Sequence, residues 1–227
     1  MDTATLAERE VRIPIGADAL DGDLVRPPGS TGLVLFAHGS GSTRRSVRNR
    51  QVAARLHEVH VGTLLFDLLT PAEQSVDDRT RQHRFDIPLL AGRLRKATEW
   101  VLAELPEPPQ AIGYFGASTG AAAALVAASK LRGQVAAVVS RGGRPDLAGP
   151  QALRAVTAST LLIVGERDPE VLQLNTQANE QMRCHRSMVM IPRASHLFEE
   201  PGTLELAADH AAAWFEHHLA LADEQQP

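Results

Sequence analysis

Eight short stretches of the chain are either apolar throughout or alternate apolar with polar residues. Between them run longer segments in which apolar residues recur every three or four positions. That rhythm predicts an α/β fold with a mostly parallel sheet and helices on both faces. Residues 33–37, 63–66, 112–115, 135–139, 161–164 and 188–191 are the near-continuous apolar runs, as expected of strands covered on both sides. Residues 11–14 and 20–25 interleave polar side chains around Gly16, Ala17 and Asp18, which predicts an antiparallel hairpin ahead of the parallel strands. Ile87, Leu90, Leu94, Ala97 and Val101 mark the buried stripe of a helix that ends before Pro106. Leu204, Ala208, Ala211, Phe215 and Leu219 do the same for the last helix, beyond which residues 223–227 are expected to fray. Proline-rich loops at 27–30 and 106–109 do not interrupt the rhythm, so residues 1–227 read as one domain.

Composition narrows the partners. A chain of 227 residues, 44% hydrophobic and 22% charged, suits one large core, and its net charge of -4 offers no positive field. Neither nucleic acid nor membrane is expected as a partner, and a monomer or homodimer is. The longest near-apolar stretch, 121–128, is far short of the roughly 20 residues of a membrane-spanning helix. The first twenty residues lack the apolar centre of a signal peptide, so a cytoplasmic location is expected. Cys184 is the only cysteine, which excludes an intrachain disulfide and a cysteine-cluster zinc site and leaves the thiol a bystander. No histidine pair shares a helix with an acid at ligand spacing, so neither metal nor cofactor is expected.

The chemistry begins at Gly116-Ala117-Ser118-Thr119-Gly120, a G-x-S-x-G sequence between a predicted strand and an Ala-rich predicted helix. A turn this sharp strains its central residue and needs small neighbours, and it leaves an exposed hydroxyl at a helix N-terminus where negative charge is favoured. Serine is a weak nucleophile, so the reading requires a histidine base and an acid that orients it. Asp168 closes the segment Gly165-Glu166-Arg167-Asp168 after a strand and is the chosen acid. Glu166 and Asp146 are alternatives, and Asp168 also suits a helix N-cap before Pro169. Of five later histidines, His185 precedes the final strand and His210, His217 and His218 lie in the last helix, whereas His196 sits in the loop leaving the last strand. His196 is therefore the base.

The run His38-Gly39-Ser40-Gly41-Ser42 follows another strand and exposes backbone N–H groups. The expected oxyanion donors are the N–H groups of Thr119 and Ser40, with Gly39 or Gly41 as neighbouring alternatives that also line the substrate site. His38 is expected to hold this loop through a backbone hydrogen bond.

With Ser118, Asp168, His196 and the 38–41 loop each at the end of a predicted strand, the chain resembles the α/β-hydrolase superfamily over nearly its whole length. Phe66-Asp67-Leu68-Leu69-Thr70 and His196-Leu197-Phe198-Glu199 are similar to the small lidless dienelactone-hydrolase-like branch. That resemblance implies an eight-stranded sheet without a cap domain, since lids in the superfamily follow the sixth strand and only residues 140–160 are available here. It also implies a serine esterase with a small soluble ester as substrate. The namesake uses a cysteine nucleophile, so its lactone specificity does not follow. Thioesterase, lactonase and amidase chemistry on the same fold, and a non-catalytic binding protein, are the alternatives. Some bacterial relatives join such a domain to a phosphoribosyltransferase-like one, and no segment of these 227 residues reads as that second unit. Arg141 and Arg144 are candidates to hold a substrate carboxylate, as arginines do in dienelactone hydrolase, or else to pair with Asp146 or Glu166.

Three other features read as less specific. Arg44, Arg45, Arg48 and Arg50, just beyond the oxyanion loop, read as a solvated helix start, with attraction of an anionic substrate as the alternative, and residues 69–83, with Asp77, Asp78 and Arg79, as a mobile rim loop able to act as a small flap. The glycine-rich loops lack the Gly-Lys-Ser/Thr and G-x-G-x-x-G patterns, which argues against a nucleotide-binding module.

Overall fold

The computed structural model describes residues 8–30 and 32–223, so of the tail 223–227, expected to fray, residues 224–227 lie outside the described residues and Asp223 ends the last helix. Strands β1 (Glu8–Ile15), β2 (Asp18–Val25), β3 (Gly32–Ala37) and β4 (Gly62–Phe66) form the first half of one sheet. Strands β5 (Ala111–Ala117), β6 (Val135–Arg141), β7 (Ser159–Gly165) and β8 (Arg186–Ile191) form the second, in the order β1-β2-β4-β3-β5-β6-β7-β8. The expected hairpin is present: β1 pairs antiparallel with β2, and β2 pairs antiparallel with β4. Every pairing from β4 through β8 is parallel.

Period-two alternation explains why those strands read as unbroken apolar runs. Leu33, Leu35, Tyr114, Val138 and Leu162 face one core, while Val34, Phe36, Phe115, Val139 and Ile163 face the other. The first core is covered by α3 (Ile87–Glu104), α4 (Thr119–Lys130), α5 (Gly149–Ala155) and α6 (Pro169–Gln181). The second is covered by α1 (Val47–Glu58) and α7 (Thr203–Asp223). The helical stripes are the expected ones, with Leu94, Ala97, Val101, Ala211 and Phe215 fully buried. Between β6 and β7 the chain forms only a 3₁₀ turn, Pro145–Ala148, and α5, so no cap domain covers the strand ends.

One segment differs from its expected form. Residues 69–83 contain a helix, α2 (Pro71–Thr80), rather than a mobile rim loop. Thr70 and Glu73 make a reciprocal capping box, Pro71 occupies the first turn, and Arg81 ends the helix in the left-handed conformation. Asp77 anchors it, being 1% exposed, with its Oδ1 accepting from the His83 and Arg84 N–H groups and its Oδ2 from Arg84 Nε at 2.6 Å. A segment with a buried charge pair beneath it is not built to act as a free flap.

Candidate active site

Ser118 stands where β5 turns into α4, with φ 51° and ψ -120°, a strained conformation for a residue with a side chain. Packing holds it there. A Cβ on Gly116 would lie 2.4 Å from Ala121 Cα, and one on Gly120 would lie 2.1 Å from the carbonyl oxygen of Ala37, so strand and helix approach only because both positions are glycine. The Ser118 N–H donates to the Arg141 carbonyl, and the Ser118 carbonyl accepts from the Arg144 N–H at 3.1 Å, fixing the turn to the end of β6. Ser118 occupies the N-cap position, yet its hydroxyl does not cap the helix. The N–H of Thr119, first in α4, has no acceptor within the helix.

Asp168 lies at the end of the turn leaving β7, at the N-cap of α6. Its carboxylate makes no cap hydrogen bond; Oδ2 instead accepts from His196 Nδ1 at 2.6 Å. The cap alternative thus gives way to the histidine. The two alternative acids are engaged elsewhere, Glu166 accepting from the Arg193 N–H at 2.6 Å and Asp146 pairing with Arg144 at 2.7 Å. The loop carrying His196 is clamped to the turn carrying Asp168: the Arg167 N–H donates to the Ala194 carbonyl at 2.9 Å and the Glu166 N–H to the Ile191 carbonyl at 3.0 Å. From the other side, Glu200 accepts from the Ser195 N–H at 2.9 Å. Of these supporting residues, Glu200 is missed by sequence reasoning, because it looks like an ordinary surface acid, and Glu166, named there as an alternative acid, instead braces the loop through the Arg193 N–H.

The loop after β3 is tied down on all sides. The Leu68 N–H donates to His38 Nε2 at 3.1 Å, so that nitrogen carries no proton and Nδ1–H donates to the Gly39 carbonyl at 3.0 Å. His38 is thus a neutral brace, as expected, and burial pushes its pKa down against the opposing influence of the Gly39 bond and Asp67. The backbone of Gly39 packs on Ser118: a Cβ there would sit 3.3 Å from Ser118 Cβ. Gly41, with φ +70°, turns the loop beside Arg84. The Ser40 N–H does not stand free but donates to Thr119 Oγ1 at 2.9 Å. Arg44 departs from its solvated reading, since it donates to Asp67 at 2.6 Å and to Asp23 at 3.2 Å with its side chain 13% exposed. Arg50 joins the same network through Asp23.

Ser118 and His196 line one cleft of about 280 Å³ together with Gly39, Ser40, Arg141 and Gly142. Its other residues include Ser42 and Leu197, both within motifs legible in the sequence, and Ser46, Arg48 and Asn49 at the start of α1, of which the sequence singles out only Arg48. Of the two candidate arginines, Arg144 points to its own neighbour, Asp146, through two hydrogen bonds, and does not line the cleft. Arg141 does line it. Larger hollows of about 470, 750 and 400 Å³ lie against the hairpin and α3, at the opposite ends of β5, β6 and β7, and between α4 and α5, and none of them contains these groups.

Three of the remaining histidines gather elsewhere. The His185 ring stacks on Trp214 with centroids 5.4 Å apart, beside His217 and His218, and Cys184 Sγ faces Thr160. Among the described residues no group of three or more His, Cys, Asp or Glu is arranged to hold a metal, and no helix is long and apolar enough to cross a membrane.

A family model described as alpha/beta hydrolase domain matches residues 30–219. A solved structure of a dienelactone hydrolase from Anabaena variabilis is 55% identical and superimposes with a TM-score of 0.91, covering 94% of this chain and 98% of that one. Est1E from Butyrivibrio proteoclasticus shares the fold at 16% identity and a TM-score of 0.77, covering 93% of this chain and 99% of its own. A Mycobacterium tuberculosis protein provisionally named a phosphoribosyl transferase is 51% identical over 214 residues, 94% of this chain and 47% of that protein. The chain thus spans about half the length of the curated relatives it matches.

Proposed function

The chain belongs to the alpha/beta hydrolase domain family, and from that premise we propose that it is a serine hydrolase that cleaves small esters through an acyl-enzyme. The observation that carries this reading is the carboxylate of Asp168 held on His196 Nδ1, in a cleft shared with the strained Ser118. With Nδ1–H committed to Asp168, His196 Nε2 keeps its lone pair for the Ser118 proton. Ser118 Oγ then bonds to the ester carbonyl carbon as its proton passes to Nε2, and the carbonyl oxygen becomes the oxyanion. Collapse of that intermediate breaks the bond to the alcohol oxygen, which takes the proton from His196. Water, deprotonated by the same nitrogen, releases the carboxylic acid and restores Ser118.

The oxyanion is received by the Thr119 N–H and the Ser40 N–H. The latter is engaged at rest with Thr119 Oγ1 at 2.9 Å, a bond that holds the loop against α4 and must be shared or released as the oxyanion forms. A cleft of about 280 Å³ with no covering domain favours short acyl groups over long chains. The name of the 55% identical neighbour favours a second reading, a lactonase, in which a cyclic ester passes through the same steps. The phosphoribosyl transferase name belongs to proteins about twice this length and is not transferred to this chain.

The test is turnover of a panel of short 4-nitrophenyl esters and small lactones by the wild-type chain and by Ser118→Ala. Burst kinetics lost in the variant are expected. Equal turnover by both chains overturns the proposal.

A further inference from the structure

The glycine-rich loop that carries Ser40 is fastened at both ends to the same two residues. At its start, His38 Nε2 accepts from the Leu68 N–H at 3.1 Å. At its end, Asp67 Oδ1 accepts from the Arg44 N–H at 2.8 Å, and Asp67 Oδ2 accepts from Arg44 Nη1 at 2.6 Å. Asp67 and Leu68 directly follow β4, and the Asp67 N–H donates to the Asp21 carbonyl of β2 at 2.9 Å, so the fastening point belongs to the sheet. Between the two ends the Ser42 N–H donates to the Gly39 carbonyl at 3.1 Å, which closes a turn around Ser40. The loop borders the Ser118 cleft on one side. On the other, against Leu68, Leu69 and Arg84, it leaves a hollow of only about 10 Å³, room for one water at most and none for recoil.

Stability alone does not account for Asp67. Its side chain and that of Arg44 are 22% and 13% exposed, and the attraction within so sheltered a pair is largely offset by the hydration both ions give up. A second acid, Asp23, already faces Arg44 Nε at 3.2 Å and is held in turn by Arg50 at 2.6 Å. The Asp23 carboxylate bonds to these side chains, whereas Asp67 also takes the backbone N–H at the end of the loop. That bond supplies a location. In the hydrolase reading the Ser40 N–H, which rests on Thr119 Oγ1, has to turn to the oxyanion as it forms. A donor that changes acceptors stays in place only if something other than the bond it gives up is holding it.

We propose that Asp67 is a positioning residue for the oxyanion donor: it fixes Arg44 as Leu68 fixes His38, and so holds the Ser40 N–H while that group exchanges Thr119 Oγ1 for the oxyanion. The proposal rests on the hydrolase reading. Asp67 does not line the cleft and acts through the loop.

The experiment pairs steady-state kinetics on a short 4-nitrophenyl ester with inhibition by phenylboronic acid. The boron bonds to Ser118 Oγ, the hydroxyl proton passes to His196, and one boron-bound oxygen stands where the oxyanion forms. Asp67→Ala should lower kcat by about 100-fold with KM changed by less than about twofold, and weaken the boronic acid by a similar factor, as for a donor displaced by roughly an ångström. Asp67→Asn keeps an oxygen for the Arg44 N–H, so it should lose only about tenfold, and it stands in if the alanine variant fails to fold. Asp23→Asn disturbs the same ion network without touching the loop backbone; it should lower the melting temperature and leave kcat and boronic acid binding unchanged. Unchanged kcat in both Asp67 variants of a chain that turns over esters overturns the positioning role and leaves the esterase standing. Equal losses of kcat in the Asp23 and Asp67 variants, following melting temperature, overturn it too, by showing a general structural role. A folded wild-type chain that neither turns over an ester nor binds the boronic acid overturns the hydrolase reading, and the positioning role with it.

Discussion

His196 Nδ1 lies 2.6 Å from Asp168 Oδ2, and the same carboxylate leaves α6 without a side-chain cap. The residue sits where a helix-capping acid would sit and spends its oxygen on the histidine. Asp168→Asn is therefore expected to lower kcat by about 10⁴-fold, because the amide presents the wrong hydrogen-bonding pattern to the imidazole. Since no cap is lost, folding stability should change by less than about 1 kcal/mol. Ester turnover and urea denaturation of the one variant check both halves; a large stability loss with modest kinetic change would place Asp168 in a structural role.

The elbow makes a steric prediction. In Gly120→Ala the added carbon would stand 2.1 Å from the Ala37 carbonyl, and neither strand backbone nor helix backbone can yield cheaply. A loss of about 3 kcal/mol or more is expected, with loss of any esterase activity, as measured by denaturant midpoint. Wild-type stability in this variant would mean that α4 is not held against β3 as described.

Thr119 links nucleophile and oxyanion loop through the Ser40 N–H. Thr119→Val should lower kcat by about tenfold with KM little changed, and Thr119→Ser should restore it, since a misplaced donor is lost only in the transition state. Equal activity in all three chains would remove the Ser40 N–H from the oxyanion account.

Arg141 tests the relation between stability and function. Replacing an unpaired buried cation with Met should leave the fold as stable or raise it by about 1 to 3 kcal/mol, while weakening any anionic ligand. Differential scanning calorimetry reads this directly. A marked fall in melting temperature would show that Arg141 serves the core.

Acid should destabilise the protein through its buried imidazoles. His38 and His57 both have pKa values lowered by burial, so in the folded chain they stay neutral at pH values where the unfolded chain takes up protons. Their contribution is complete above the ordinary value near 6.5 and is lost as pH falls below it. For His38 the slope approaches about 1.4 kcal/mol per pH unit at most. Urea midpoints at pH 7.5 and 5.0 should fall together with pH; a constant midpoint contradicts the neutral brace.

Much of this architecture is visible in the chain itself. Strands such as residues 33–37 and 161–164 are legible because helices cover both sides, leaving no polar position to blur the run. That Ser118 and His196 share one cleft is legible because both follow strand ends, which a parallel sheet brings to the same edge. The helix α2 is not, although Thr70 and Glu73 carry a capping-box signature, because the one buried residue within it is the charged Asp77. The difference between Arg141 and Arg144 is likewise hidden: both follow the same strand, and only the folded chain shows that Asp146 reaches one of them. The α1 wall of the cleft is a tertiary product, assembled from residues some seventy positions before the nucleophile.

The central claim is an activated serine, and the most direct measurement is intact mass after exposure to a fluorophosphonate probe. The account predicts one adduct on the wild-type chain, none on Ser118→Ala, and strongly reduced labelling on His196→Ala. Equal labelling of all three, or none on a folded wild-type chain, would contradict it.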